Sequence, residues 1–262
     1  MTTEDYLRAI YTLHAAKTGV STQALANRLG VAAPSATAMV KKLASLQLLF
    51  HTPYRGVGLT AEGEKIALRV IRRHRLAKTY LFELLGVAWD RVAVEADGWE
   101  HVLSEEVEAN MAAALNYPAR DPHGHPIPTG DGKIAEETCE KLSAAPPVRR
   151  MTVRRVSDED AEMLRHLREV GLIPGATVEV VRAVPAEGVL QLHVEGKRKT
   201  VALAPAAAVF VALCDQVPDQ AEHTLTFAPE NQLEAAASPV LPRRCSRQDE
   251  DSLTTILKGK QQ

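Results

Sequence analysis

Ser21-Thr22-Gln23-Ala24-Leu25-Ala26-Asn27-Arg28-Leu29-Gly30, followed closely by Ala33-Pro34-Ser35-Ala36-Thr37, is the stretch that decides the fold. Ser21 and Thr22 offer a side-chain oxygen to the first free amides of a helix that buries Leu25, Ala26 and Leu29, and Gly30 supplies the turn that ends it. The next helix begins near Pro34, which a first turn tolerates, and turns Met39, Val40 and Leu43 inward. Two helices joined by a short glycine turn make a helix-turn-helix. Upstream, residues 4–16 read as an amphipathic helix with Tyr6, Ile10 and Leu13 on one face and Thr2 or Thr3 as cap. Downstream, the run from Leu48 to Thr60 reads as two short strands around a basic, glycine-bearing tip, and Thr60-Ala61-Glu62-Gly63 opens a long helix to about Leu85. The whole is the layout of a winged helix-turn-helix.

Further along, residues 94–116 read as one helix with Trp99, Val102, Leu103, Val107 and Met111 on its apolar side. Asp97, Glu100 and His101 fall at i, i+3 and i+4, so a helix points all three one way. Hard oxygen donors with one imidazole and no sulfur suit a divalent ion such as Mn²⁺ or Fe²⁺. Proline and glycine break the pattern between Pro118 and Gly132, and a short helix at about 131–143 ends at Ala144-Ala145-Pro146-Pro147. Residues 151–213 change character, with a helix from Asp158 to Val170 and strands at Thr177–Arg182, Val189–Val194, Thr200–Leu203 and Phe210–Leu213, which predicts a small β-barrel. From Pro218 onward apolar periodicity is lost and the tail is expected to be disordered. The expected fold is mainly α, with a winged head (1–64), a helical metal-binding and dimerisation domain (65–140), a linker (141–150), a C-terminal β-barrel (151–217) and the tail (218–262).

The net charge of −2 conceals an asymmetry. Eleven Lys/Arg face four acids through Arg75, whereas four basic residues face thirteen acids from 76 to 140. A basic head binds polyanions and an acidic middle binds cations. No apolar run reaches the roughly 18 residues of a membrane span and no leader precedes the first helix, so a cytoplasmic protein is expected. Cys139, Cys214 and Cys245 are odd in number and scattered, which argues against a disulfide framework or a thiolate zinc site. A nucleophile elbow, phosphate loop and dinucleotide fingerprint are all missing, so no enzyme is expected.

Four motifs in fixed order bring a family into view: Glu4-Asp5-Tyr6-Leu7-Arg8-Ala9-Ile10-Tyr11-Thr12-Leu13, Arg73-His74-Arg75-Leu76, Glu95 to Ser104, and His123-Gly124-His125-Pro126-Ile127-Pro128. Across roughly residues 3–214 the chain resembles the diphtheria-toxin-repressor family of iron- and manganese-dependent transcriptional regulators. Its last domain resembles the FeoA-like barrel of longer members. The resemblance implies a primary metal site of Asp5, Asp97, Glu100 and His101, between the first helix and the Trp-Glu-His motif. Iron-responsive members carry methionine and cysteine where this chain has Asp5 and Asp97, and oxygen-only replacements incline the site towards manganese. The family's ancillary site retains His74, but Lys78 stands where a glutamate is expected and Ala93 where a histidine is. Lys78 leaves two readings open: it pairs with Glu100 or another acid in the space of a second ion, or an ion recruits Glu95 or the acids of Asp158-Glu159-Asp160-Glu162. The His123/His125 loop is implied to be structural.

By the same resemblance the chain acts as a homodimer on double-stranded operator DNA, controlling metal-homeostasis genes and repressing metal uptake. Pro34, Ser35 and Thr37 open the recognition helix, methyl contacts from Ala36 and the proline meet thymine, and Lys41, Lys42 and Arg55 meet phosphate. Leu81, Leu84 and Leu85 serve either the dimer contact or the core. Two alternatives remain: a winged-helix regulator of a non-metal ligand, and a metal-binding adaptor that does not touch DNA.

Overall fold

The computed structural model describes residues 2–14, 19–52 and 56–213 of the 262. Arg55, Cys214, Cys245 and the tail expected to be disordered lie outside them. In the head, α1 (Thr3–His14), α2 (Thr22–Leu29) and α3 (Ala33–Ser45) are followed by a hairpin of β1 (Leu49–Thr52) and β2 (Gly56–Leu59). Ser21 caps α2 by accepting from the Ala24 amide at 3.1 Å, and Gly30 closes it in the left-handed region at φ 64°. Leu7, Ile10, Leu25, Ala36 and Leu43 are fully buried in one core that also takes in Ala67 from the following helix. Each such large side chain contributes about 1.5–3 kcal/mol of burial.

That following helix, α4 (Ala61–Glu83), is capped by Thr60, whose hydroxyl accepts from Gly63 N and donates to Gln47 O. At Gly63 the Leu48 carbonyl approaches so closely that an added Cβ would lie 2.1 Å from its oxygen. The 94–116 segment is not one helix. α5 (Val92–Asp97) ends at Gly98, and α6 (Glu105–Ala114) starts afresh with Ser104 accepting from Val107 N at 3.2 Å. Val102, expected on an apolar side, is 78 % exposed in the intervening turn. Arg72 and Arg73 of α4 both grip Glu108 of α6, with Nε to carboxylate distances of 2.7 and 3.0 Å.

The 131–143 segment is likewise not helical. It leads into β3 (Glu140–Lys141) and a single 3-10 turn, Leu142–Ala144, whose Leu142 is fully buried. The remaining elements are β4 (Arg150–Val156), α7 (Ala161–Val170), β5 (Thr177–Val184), β6 (Val189–Val194), β7 (Lys197–Ala202), α8 (Leu203–Ala207) and β8 (Val209–Leu213). The six strands form one antiparallel sheet ordered β3-β8-β4-β5-β6-β7. The expected β-barrel is therefore corrected to an open sheet. Both edges of β8 are already taken, by β3 and β4, so the edge left for β7 to close on is that of the two-residue β3, and the two end strands do not pair. Strand β4 escaped the sequence reading because a bulge between Val153 and Arg155 moves its inward residues from Met151 and Val153 to Val156, out of strict alternation.

Candidate metal centre

The centre starts at the first turn of α1. Thr2 N donates to Asp5 Oδ2 at 2.5 Å while Asp5 N donates to Thr2 Oγ1 at 3.2 Å, a reciprocal capping arrangement. One Asp5 oxygen is thus committed to the helix end, and Oδ1 is aimed at His101 Nε2, 2.9 Å away. The other imidazole nitrogen, Nδ1, lies 2.9 Å from Glu4 Oε2. A carboxylate behind one nitrogen fixes the tautomer and leaves the other as a ligand, the usual way of orienting a metal-binding histidine. Burial lowers the His101 pKa, but Glu4, Glu100 and Asp5 outweigh it and hold the value above the ordinary one. Asp5 is held below its usual range: burial opposes this, and the Thr2 hydrogen bonds together with His101 prevail.

Glu100 is fully buried. Its Oε2 accepts from Arg8 Nη1 at 2.7 Å and lies 2.7 Å from His74 Nδ1. Among the described residues its Oε1 has no hydrogen-bond partner, and it sits 3.3 Å from His101 Nε2. Burial pushes the Glu100 carboxyl up to about 7, with Arg8 pulling it down and Asp97 adding to the rise. A buried carboxylate oxygen without a partner costs on the order of 1–3 kcal/mol or more, and such an orphan calls for a cation or proton. Asp5, Glu100 and His101 each bring one donor atom within 4.8 Å of the others, so the residues present fit a hard divalent ion.

His74, Asp97 and Glu100 form a second such group, sharing Glu100 with the first. Arg8 stands within it, Nη1 being 3.1 Å from Asp97 Oδ1 and 3.2 Å from His74 Nδ1. Burial, Lys78 and Arg8 hold His74 well below the usual histidine range. All five residues expected at the metal site therefore meet, but in two halves. Arg8 and Glu4 were missed by the sequence reading, although both share a helix with Asp5 and Arg8 follows it by one turn.

Lys78 answers the question left open for the ancillary position. It is 1 % exposed, and its Nζ lies 2.6 Å from Asp121 Oδ2 and 2.5 Å from Asp158 Oδ2, not beside Glu100. Glu95 pairs with Arg91 at the surface. Burial lowers the Lys78 pKa, but the two carboxylates reverse this and raise it, while both acids are held below their usual range by the ammonium. The His123/His125 loop packs inward. His123 stacks on Trp89 with ring centroids 5.0 Å apart and donates from Nε2 to Trp89 O at 2.9 Å. Its backbone carbonyl accepts from Val156 N at 2.9 Å, and Gly124, at φ 85°, lies so near Arg154 that an added Cβ would be 2.1 Å from that carbonyl oxygen. The loop and Lys78 together hold the sheet against the helices.

On α3, Pro34, Ser35, Thr37, Lys41 and Lys42 are exposed on the outer surface. Ala36 is fully buried in the head, which removes its expected methyl contact with thymine, and Ala38 is the exposed small residue instead. Leu81 is buried in the core, whereas Leu84 and Leu85 are 51 % and 55 % exposed.

Residues 1–57 match the iron dependent repressor N-terminal DNA binding domain, residues 60–129 the iron dependent repressor metal binding and dimerisation domain, and residues 140–213 the FeoA domain. The chain is 33 % identical over 203 residues to the iron-dependent repressor IdeR of Mycobacterium tuberculosis, covering 72 % of this chain and 86 % of that protein. It is 30 % identical over 190 residues to the diphtheria toxin repressor of Corynebacterium diphtheriae, covering 69 % and 84 %. Among solved structures, a manganese-dependent transcriptional repressor in complex with manganese superposes with a TM-score of 0.76 at 35 % identity, over 81 % of this chain and all of that one.

Proposed function

The chain belongs to the diphtheria-toxin-repressor family of iron-dependent repressors, and from that premise we propose a manganese-responsive regulator, tolerant of Fe²⁺, that represses metal-uptake genes by binding operator DNA as a cytoplasmic homodimer. Membership makes it a metal-dependent DNA-binding transcriptional repressor and not an enzyme. The observation that carries the metal reading is the buried Glu100 Oε1, between Asp5 and His101 and without a hydrogen bond among the described residues. Preference for manganese rests on a donor set of carboxylate oxygens and imidazole nitrogen without sulfur, and on the likeness to the manganese repressor.

A divalent ion here supplies two positive charges among the acids Asp5, Asp97 and Glu100. Asp5 belongs to the DNA-binding head, and Glu100 and His101 to the turn between α5 and α6, so these side chains tie the head to the helical domain. Fixing the head sets the recognition helices of a dimer at half-sites about 34 Å, or a multiple of it, apart. Pro34, Ser35 and Thr37 then face base edges, and Lys41, Lys42 and Arg55 meet phosphate. Small side chains at the helix start leave much of the discrimination to DNA shape. Exposed Leu84 and Leu85, with Val94 and Val102, offer apolar surface for self-association. Among the described residues no helix is long and apolar enough to cross a membrane. The three matched segments, 1–57, 60–129 and 140–213, support a division into head, helical domain and sheet domain, with the stretch 141–150 expected as a linker falling inside the third match.

Fluorescence anisotropy of operator-length duplex, in chelator and then with rising Mn²⁺, tests the reading. Coupling between the two ligands should raise DNA affinity by about 5–150-fold. Glu100→Gln should abolish the increase while leaving the weak chelator-state affinity in place. Equal affinity with and without metal in the wild type would reject the proposal.

A further inference from the structure

We propose that Glu159 is a positioning residue for DNA binding: from the sheet domain it holds Arg28 at the end of α2 and so sets the seating of the reading head. The inference rests on the DNA-binding role of the head and not on the identity of the ion. Arg28 Nη1 lies 2.5 Å from Glu159 Oε1, across the junction between the helix-turn-helix and the loop that joins β4 to α7.

Both ends of this contact are firmly mounted. Glu159 sits in a loop pinned on each side of it. Ser157 N donates to Ala208 O at 2.8 Å, Asp158 carries the ion pair to Lys78, and Asp160 caps α7 by accepting from the amides of Glu162 and Met163 at 2.9 and 3.2 Å. The sheet domain behind the loop is fixed to the helical domain at further points: Val156 N donates to His123 O, and Arg165 reaches Asp90 at 3.5 Å. On the other side, Arg28 belongs to the last turn of α2, which Gly30 closes. Leu25 and Ala26 of the same helix are buried in one core with Ala36, Val40 and Leu43 of α3 and with Leu7 and Ile10 of α1. A pull on Arg28 is therefore delivered to the recognition helix, and through the same core to the helix that carries Asp5.

One position of the head satisfies two contacts at once: the position that brings Asp5 to Glu100 and His101 also brings Arg28 to Glu159. Lys78 is part of the chain, so the sheet domain stays docked with or without an ion, and Glu159 offers its carboxylate in both states. The pair thus raises the fraction of chains whose head is seated before metal arrives, and apparent affinity scales with that fraction. The two side chains are 35 % and 57 % exposed, so the contribution is that of a surface ion pair, modest and screened by salt.

Charge exchange tests the assignment. The probe is a fluorescein-labelled duplex taken from a random pool by retention on the wild-type protein in Mn²⁺. Anisotropy is read in chelator and across a Mn²⁺ titration, with thermal melts as the control for folding. Glu159→Gln should weaken chelator-state binding about 2–5-fold and raise the Mn²⁺ concentration for half-maximal binding by a similar factor. The effect should shrink at saturating Mn²⁺, where the ion also seats the head. Arg28→Glu should do at least as much, and Arg28→Glu combined with Glu159→Arg should return both quantities towards the wild type. Melting temperatures should change little in all three. Binding unmoved by Glu159→Gln, or an exchange variant as weak as Arg28→Glu alone, would overturn the inference, the second by placing Arg28 against DNA itself. A wild type indifferent to Mn²⁺ would instead reject the metal reading, and the chelator-state exchange would still decide the role of Glu159.

Discussion

His74 and Lys78 lie one turn apart on α4, and each looks into a buried gathering of acids and imidazoles. Around Lys78 the chain provides its own ammonium, and Asp121 and Asp158 close upon it. Around Glu100 it provides only part of the positive charge, and one carboxylate oxygen is left over. The acids alone do not distinguish the two clusters. What separates a structural weld from a centre that responds to its surroundings is whether a tethered cation completes the set.

The contrast breaks most visibly at the weld. Removing one partner of a buried ion pair strands the other charge, so Lys78→Met should destabilise the fold by about 3–5 kcal/mol in urea denaturation, without loss of the manganese site in protein that remains folded. A variant as stable as the wild type would show that the ammonium is not what joins sheet to helices.

The same cluster sets an acid profile. Asp121 and Asp158 have lowered values in the folded chain, so the stability they contribute is complete above about pH 4 and is lost as the pH falls towards the folded values. His123, held neutral down to about 4 by burial and then by Lys78, adds a loss that starts below about pH 6.5. Lys78, raised, keeps its share to about pH 10 and loses it above. His125 faces the same acids from the loop. Thermal melts of the wild type should therefore fall on acidification. In Lys78→Met the buried carboxyls favour the protonated form, and the melting temperature should rise between pH 7 and 5 relative to the wild type. Parallel profiles would place the acid sensitivity elsewhere.

On the responsive side, Glu4→Gln weakens the acceptor behind His101, and manganese affinity should drop about 10–100-fold in calorimetric titration with stability little changed. On the DNA face, Lys41→Ala or Lys42→Ala should lower the slope of log affinity against log salt by about one without altering the metal requirement. Smallest of all, Thr2→Ala opens the cap that orients Asp5 and should cost about 1 kcal/mol of stability, with a modest rise in the manganese concentration needed for half-saturation.

Much of this is legible in the sequence. The serine cap and glycine stop of α2, the proline start of α3 and the two strands of the wing all follow local rules and stand as read. The spacing of Asp97, Glu100 and His101 brought the right residues together even though the helix ends at Gly98, because the turn beyond it keeps hydrogen bonds from Trp99 and Glu100 back to Ala96. Illegible parts were those set by partners distant in sequence. Lys78 could be seen to need an acid, but only the fold chooses Asp121 and Asp158, 43 and 80 residues away. Arg8 looked like one more basic residue of the head until it met Glu100. The bulge in β4 hid the alternation of that strand, while β5 was read despite a bulge of its own.

Gly63 tucked beneath the Leu48 carbonyl has a mechanical meaning. Thr60 is bonded to Gln47 and that junction has no room for even a methyl group, so the wing and the start of α4 close upon each other backbone to backbone. Any side chain at position 63 would have to push the Leu48 carbonyl aside and so wedge the base of the wing away from the first turn of α4.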